Sequence, residues 1–379
     1  MDFRLSDEQL QIAQMVRDFA LSEIKPNLDE WDEAQHFPVD TFKRAGELGM
    51  LGVTIPEEYG GAGLSYVDYV NVIEELGVVD SGFALSVAAH NSLGSGHIYL
   101  AGNEEQKKKW LPKLTSGEWI GAWGLTEPGS GSDAGGLRTM AVKDGNDWVL
   151  NGTKNFITNA TYADISVVLA VTDREAKKGV TAFAVEKDRK GIRPGKKENK
   201  LGMRVSDTAE LILEDCRVPQ ENVLGEIGYG FVDAMKVLDG GRISIGALAV
   251  GIARGAYEAA RDYSKQRQAF GKPISDFQAI QFMLADMATE IEAARLLCHR
   301  AATVKDAGAK VTQFSAMAKL YASEVAVRST EKGVQIFGGY GFIKEFPAEK
   351  YYRDVKLCTI GEGTSEIQRI VIARNLLAE

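Results

Sequence analysis

The chain has 379 residues, of which 45% are hydrophobic and 26% charged, enough apolar material for two or three packed units and too much for a disordered or fibrous protein. With 44 Lys+Arg against 53 Asp+Glu the formal net charge is −9, which argues against a general nucleic-acid or membrane-surface partner, since either needs a basic face. No uncharged apolar run approaches the ~20 residues of a bilayer span, and Ile243–Ala253 is flanked by Arg242 and Arg254, so no membrane insertion is expected.

Asp2, Arg4, Asp7 and Glu8 stand where a signal peptide would carry a basic segment and then an apolar one, so none is expected. Ser6 with Gln9 reads as a capping box, and Leu10, Val16, Phe19, Ala20 and Ile24 form a helical stripe that runs to Pro26. Further helices are predicted at about 39–48, 66–78 and 104–114, the last capped by Asn103 with Glu104 and Glu105 in its first turn. Pro56–Gly61 between them reads as a turn-rich loop.

The pattern changes near Trp119. Trp148–Leu150, Ile165–Val171, Val180–Val185 and Leu211–Leu213 are strand-like runs bounded by turn signals, and Asp144-Gly145 and Asn151-Gly152 read as hairpin turns. No helical pattern alternates with these strands, so a parallel βαβ sheet is not expected. Long periodic helices then return near 227–266, 277–307, 311–336, 345–354 and 365–376, rich in small residues such as Gly246, Gly251 and Gly255, with Ser365 and Gln368 as a capping box for the last. The expected fold is mainly α with a central β-domain. It comprises an N-terminal helical domain (1–119), a β-sandwich or barrel-like domain (120–223) and a four-helix-type bundle (224–379).

Cys216, Cys298 and Cys358 are scattered, as are His36, His90, His97 and His299, so neither a disulfide framework nor a metal site is expected. Gly129–Ala134 matches G-x-G-x-x-A, but Gly135-Gly136 and an alternating strand pattern follow where a dinucleotide fold needs a helix. The Trp123–Asp133 stretch is either an ordinary Gly/Ser connection or a loop whose amides and hydroxyls bind an anion or a ring edge. Gly338-Gly339-Tyr340-Gly341 is either a flexible turn or a close approach to a ligand or second chain. Glu362 sits between Gly361 and Gly363 just before a helix, so a sharp bend carries its carboxylate.

Taken together and in order, these segments resemble the acyl-CoA dehydrogenase family over essentially the whole chain. The resemblance rests on Pro56–Gly61, Leu125–Asp133, Asn151–Lys154 leading to Phe156–Asn159, and Leu201–Arg204 with Ser206–Thr208. It continues through Arg267 with Phe270-Gly271, Gln335–Gly339 and Glu362–Arg369. It implies a flavoprotein oxidoreductase of fatty acid metabolism that holds FAD, is similar to short-chain or branched-chain bacterial members, and assembles as a homotetramer, a dimer of dimers. By resemblance, Glu362 is the catalytic base that removes the α-proton of an acyl-CoA, and flavin N5 accepts the β-hydride to leave a trans-2-enoyl-CoA. Trp123, Leu125, Thr126, Ser132, Phe156, Ile157 and Thr158 resemble the flavin-contacting set, with Phe156 where the family usually has Trp. Arg267, Phe270, Gln278 and Gln335–Gly339 (Gln335, Ile336, Phe337, Gly338, Gly339) resemble the diphosphate-side set from across a dimer interface, and Thr364 and Glu366 the residues over the adenosine. Ser132, Asp239, Arg242 and Gly363 are the expected substrate contacts.

Some relatives carry the base at the position of Gly241, which leaves only Glu362 here. Many have Tyr at the position of Gly361, so either there is room here for an α-branched, cyclic or otherwise wide acyl group or a neighbouring side chain fills the gap; the substrate expected is a short, branched or cyclic acyl-CoA. Electron-transfer flavoprotein is the expected electron acceptor, in a bacterial cytoplasm or, for a mature eukaryotic chain, the mitochondrial matrix. An acyl-CoA oxidase using O2 and a non-catalytic FAD-binding scaffold are the alternatives.

Overall fold

The computed structural model describes residues 4–176 and 179–378; Asp2, used in the leader reading, lies outside them. The N-terminal third is helical: α1 (Asp7–Phe19), α2 (Leu28–Ala34), α3 (Val39–Glu47), α4 (Tyr66–Val79), α5 (Ser81–Ala88), α6 (Gly96–Ala101) and α7 (Glu104–Thr115). Ser6 caps α1 as expected: its Oγ accepts from the Gln9 N–H at 3.2 Å, and the Gln9 side chain accepts from the Ser6 N–H at 3.0 Å. Asn103 and Gln106 form the same motif at α7. Sequence reading misses α2, α5 and α6. The reason for α5 is physical: every residue from Ser81 to Ser95 is buried, so no amphipathic stripe exists to be seen. A π-helical turn, Ala89–Ser95, joins α5 to α6.

The middle third holds β1 (Gly121–Gly124), β2 (Met140–Asp144), β3 (Asp147–Thr158), β4 (Ile165–Val171), β5 (Val180–Glu186), β6 (Ile192–Lys197), β7 (Thr208–Pro219) and β8 (Val223–Leu224). They form one mixed sheet in the order β6-β7-β3-β2-β4-β5-β8, with β1 parallel to β4 and nearly all other pairing antiparallel. The sheet curls on itself: Trp148 of β3 and Phe183 of β5, well apart in strand order, meet edge to face at 5.7 Å inside one core. β4 is buried at every position because Val168 and Ala170 enter that core while Val167, Leu169 and Val171 face a second one shared with α7. Asp144-Gly145 does open a hairpin turn, with Asp144 opposite Asp147. Asn151-Gly152 does not. It is a bulge within β3, where the register shifts against β7 and Asn151 exchanges hydrogen bonds with Asp215. A second bulge lies between Lys154 and Ile157.

The last third follows the predicted helices closely: α8 (Gly230–Gln266), the hairpin β9 (Gln268–Ala269) and β10 (Lys272–Pro273), α9 (Gln278–Asp306), α10 (Thr312–Phe337), α11 (Ala348–Asp354) and α12 (Ser365–Leu376). Helices α8, α9 and α10 share one apolar core with α1, α4 and α5, so the two helical parts are packed as a unit beside the sheet. A buried ion cluster fastens the parts together. Lys350 of α11 donates to Asp80 at 2.7 Å and to Asp354 at 2.6 Å, Ser81 Oγ donates to Asp354 at 2.6 Å, and Arg353 reaches Asp32 of α2 at 2.9 Å. The backbone N–H of Met203, on the connection between β6 and β7, also donates to Asp354. Among the described residues no helix is long and apolar enough to cross a membrane.

Candidate active site

Glu362 follows a short 3-10 turn, Val355–Thr359, and adopts φ +53° with Gly363 at +93°, a left-handed pair that swings the chain sharply into α12. The helix cap lies one residue earlier than the sequence suggests: Thr364 is the N-cap, its hydroxyl accepting from the Ile367 N–H at 3.3 Å. Gln368 takes no part in a capping box because its amide donates backward, to the carbonyls of Glu362 (3.1 Å) and Gly363 (2.9 Å). Lys319 of α10, fully buried, donates to the same Gly363 carbonyl at 2.7 Å.

The Glu362 carboxylate lies against α8 at Gly241. A Cβ at residue 241 would stand 1.9 Å from Glu362 Oε2 and 3.1 Å from Leu93 Cδ2, so only glycine leaves this slot open. Oε2 is inaccessible and has no hydrogen-bond partner. Burial pushes the carboxyl up to about 7, against the pull of Lys319 and Arg242 toward ionisation. A carboxylate that titrates near neutral pH and has nothing to bond is suited to taking a proton from a ligand.

The neighbouring polar pair is tied to itself. Arg242 Nη1 donates to Asp239 at 2.7 Å, and Thr312 Oγ1 donates to the other Asp239 oxygen at 2.7 Å. Arg242 Nε is buried and unpartnered, and so remains to meet a ligand.

Residues of the β-domain gather where the π-helical turn meets β1. His90 Nδ1 accepts from the Gly121 N–H at 3.1 Å, and Leu93 of the same turn lies beside Glu362. Trp123 lies near the end of β1, half-buried, with Leu125 buried just beyond the strand. The Thr126 carbonyl accepts from Asn155 N–H at 2.8 Å, which sets Trp123–Thr126 beside the second bulge of β3. That bulge holds Phe156 at φ +56° with its residue 62% exposed, while Ile157 enters the core and Thr158 is half-buried. A large ring turned outward on a left-handed residue is not there for packing.

Trp123 Nε1 donates to His97 Nδ1 at 3.0 Å, a contact the sequence reading missed because His97 looked like one of several dispersed histidines. Burial takes His97 down to about 4, so it is the neutral acceptor that fixes the indole.

Ser132 is exposed on the Gly/Ser loop, whose shape is set from beneath. The Glu127 carboxylate accepts from Arg138 N–H (2.6 Å), Thr139 N–H (2.9 Å) and Lys154 Nζ (2.7 Å). Gly129–Ala134 leads into a 3-10 turn and then β2, not into a dinucleotide-binding α-helix.

A second gathering lies elsewhere on the surface. Arg267, Ile336, Phe337, Gly338 and Gly339 line a cleft of about 470 Å³ with Tyr263 and Tyr340, and the Arg267 guanidinium lies 5.4 Å from the Tyr340 ring. A side chain at Gly338 or Gly339 would meet open space, so bare backbone faces the cleft. Neither Glu362 nor Thr364, Phe156 or Trp123 lines it. Phe270, 97% exposed, forms the tip of the β9–β10 hairpin, and Gln278, Gln335 and Glu366 are exposed outside the cleft lining.

Family models for the acyl-CoA dehydrogenase N-terminal, middle and C-terminal domains match residues 6–118, 122–216 and 228–377. The chain is 49% identical over 374 residues to the short-chain specific acyl-CoA dehydrogenase of Clostridium acetobutylicum, covering 98% of this chain and 99% of that one. It superposes with a TM-score of 0.98 on butyryl-CoA dehydrogenase from Megasphaera elsdenii, at 44% identity with both chains fully covered. A chain in the structure reported for the electron transferring flavoprotein of Acidaminococcus fermentans matches with a TM-score of 0.99 and 48% identity, again over the whole of both.

Proposed function

The chain belongs to the acyl-CoA dehydrogenase family and is an acyl-CoA dehydrogenase, and we propose that Glu362 is the base that draws the α-proton from a short acyl-CoA thioester. FAD is the cofactor of the family, and the residues present fit it. Phe156 and Trp123 offer ring surface at the mouth of the β-domain, and the Arg267 cleft pairs a fixed guanidinium with bare backbone at Gly338 and Gly339, as a diphosphate requires. When bound, FAD supplies the two-electron acceptor for the hydrogen that leaves the β-carbon as hydride.

The protein's own part is binding and proton transfer. Glu362 accepts the α-proton at Oε2, the atom that the Gly241 slot keeps dry and unbonded. That observation carries the reading. Trp123–Thr126 and Phe156–Thr158 border the flavin ring, and Ser132 reaches the cofactor or the thioester arm. Thr364 and Glu366 border the adenosine. Arg242, with its free Nε, supports the acyl site, held in place by Asp239.

Because the Arg267 cleft excludes the residues around Glu362, a second copy completes each cofactor site, with Phe270, Gln278 and Gln335–Gly339 reaching across. The exposed rings Phe270, Phe282 and Phe342 support burial against other copies, in a dimer of dimers. Electron-transfer flavoprotein takes the electrons onward, a reading that the likeness to the Acidaminococcus structure supports.

The names of the similar proteins favour a short acyl chain. A side chain at Gly361 would lie 3.5 Å from Leu357 without clash, so its absence leaves room there for an α-branched or cyclic group.

The test is anaerobic bleaching of the flavin by butyryl-, isobutyryl- and cyclic acyl-CoA, beside a Glu362→Gln variant. Bleaching by the parent and none by the variant is expected, and equal rates would remove Glu362 from the role. Strict preference for straight chains would close the wider-pocket reading alone.

A further inference from the structure

Helix α10 passes beneath the Glu362 bend and touches it at two points one turn apart. Lys319 Nζ donates to the Gly363 carbonyl at 2.7 Å, and Ser323 Oγ donates to the Cys358 carbonyl at 2.8 Å. Gln368 grips the same bend from α12, sharing the Gly363 carbonyl with Lys319. The chain is therefore held both ahead of the left-handed pair, at Cys358, and on the pair itself, and the carboxylate has a fixed backbone to swing from.

A carbonyl needs only a neutral donor, and Gln368 already provides one. Burying an ammonium that bonds a single neutral carbonyl is costly, so the charge requires its own explanation. Lys319 is fully buried, and the carboxyl nearest in sequence to its carbonyl partner is Glu362. Yet no ion pair joins the two within 4.0 Å among the described residues. We infer that Lys319 is a positioning residue for the Glu362 base, fixing the bend through Gly363 and setting the carboxylate's basicity from a distance. The inference rests on the reading of Glu362 as the base.

Burial pushes Lys319 down to about 8, against the pull of Cys358 and Glu362, so the group is still a cation at neutral pH. The other groups that bear on Glu362 or Lys319 are Arg242 of α8, whose charge Asp239 partly offsets, Tyr69 of α4, and Cys358 and Glu366 beside the bend. Arg242 and Lys319 are the cations among them. Direct contact with Lys319 would hold Glu362 ionised and weakly basic. Placement at one remove leaves it able to accept a proton while preventing burial from keeping it protonated at pH 7.

The test uses the flavin-loaded enzyme and the pH dependence of kcat/KM for butyryl-CoA. Lys319→Met removes the cation, so the acid limb should move up by about one pH unit, with a roughly tenfold loss near pH 6 that shrinks at high pH. Lys319→Arg should return the limb toward that of the parent, and Gln368→Leu should lower kcat without moving it. Should Met fail to fold, Lys319→Gln keeps a donor for Gly363 without the charge and gives the same reading. A limb at the parent's pH in either neutral variant overturns the inference. If Glu362→Gln is inert in the same series, the base assignment survives that outcome; if it turns over normally, the base assignment itself is lost.

Discussion

Glu127 and Glu362 present a controlled comparison within one molecule. Each has a fully buried lysine as neighbour, Lys154 for the first and Lys319 for the second. At Glu127 the lysine bonds the carboxylate directly at 2.7 Å, and two backbone N–H groups fill its remaining positions. Burial pushes that carboxyl up, but the bonds from Lys154 and Thr139 outweigh it and hold it below the usual range. At Glu362 the lysine bonds a backbone carbonyl instead, the carboxylate is left bare, and burial raises it to about 7. The same pair of residue types makes a loop brace in one place and a proton acceptor in the other. What separates them is which oxygen the ammonium touches.

Substitutions should pull this contrast apart. Glu362→Gln should reduce kcat/KM by ~10²–10⁴-fold, the usual contribution of a positioned base, with flavin content unchanged. Glu127→Gln should instead act on folding, by roughly 3–5 kcal/mol in denaturant titration, because it leaves the Lys154 ammonium buried without a counter-charge, bonded only to neutral oxygens such as the Leu125 carbonyl. That stabilisation is present above the unfolded carboxyl's pKa of ~4.3 and is lost as pH falls through the lower folded value.

Gly241→Ala should cost ~10²-fold in kcat with little change in stability, since the new methyl displaces the free end of the Glu362 side chain and no backbone. The smallest effect is the most telling for the comparison. Glu362 is raised to about 7 in the folded chain, so its ionisation destabilises the fold progressively as pH rises from ~4.3 through 7. Glu362→Gln should therefore be more stable than the parent at pH 8, by about 1–3 kcal/mol, with the gain gone near pH 4. Glu127→Gln moves the opposite way.

The parts of this arrangement differ in how plainly the sequence announces them. The C-terminal helices have long apolar periods and clear breaks, and their ends fall within a few residues of expectation. Glu362 is conspicuous because flanking glycines mark a bend, and the bend is indeed left-handed at both Glu362 and Gly363. Lys319 and His97 carry no such mark. One is a lysine in an ordinary helical pattern and the other an isolated histidine, and each gains its role only from a partner 44 or 26 residues away in the chain. Asn151-Gly152 misleads because the same dipeptide suits a bulge as well as a hairpin turn, and only the pairing partner on β7 decides between them. Ser365 misleads by one position, since Thr364 also has the hydroxyl and the extended backbone a cap needs.

The Lys350 cluster has a consequence for how the molecule comes apart. Asp32, Asp80, Ser81 and the Met203 amide belong to distant stretches of chain, yet they converge on Lys350, Arg353 and Asp354 of α11. None of those stretches can loosen without stranding charge in an apolar interior, so heating should produce one cooperative melting event in which helices and sheet let go at the same temperature.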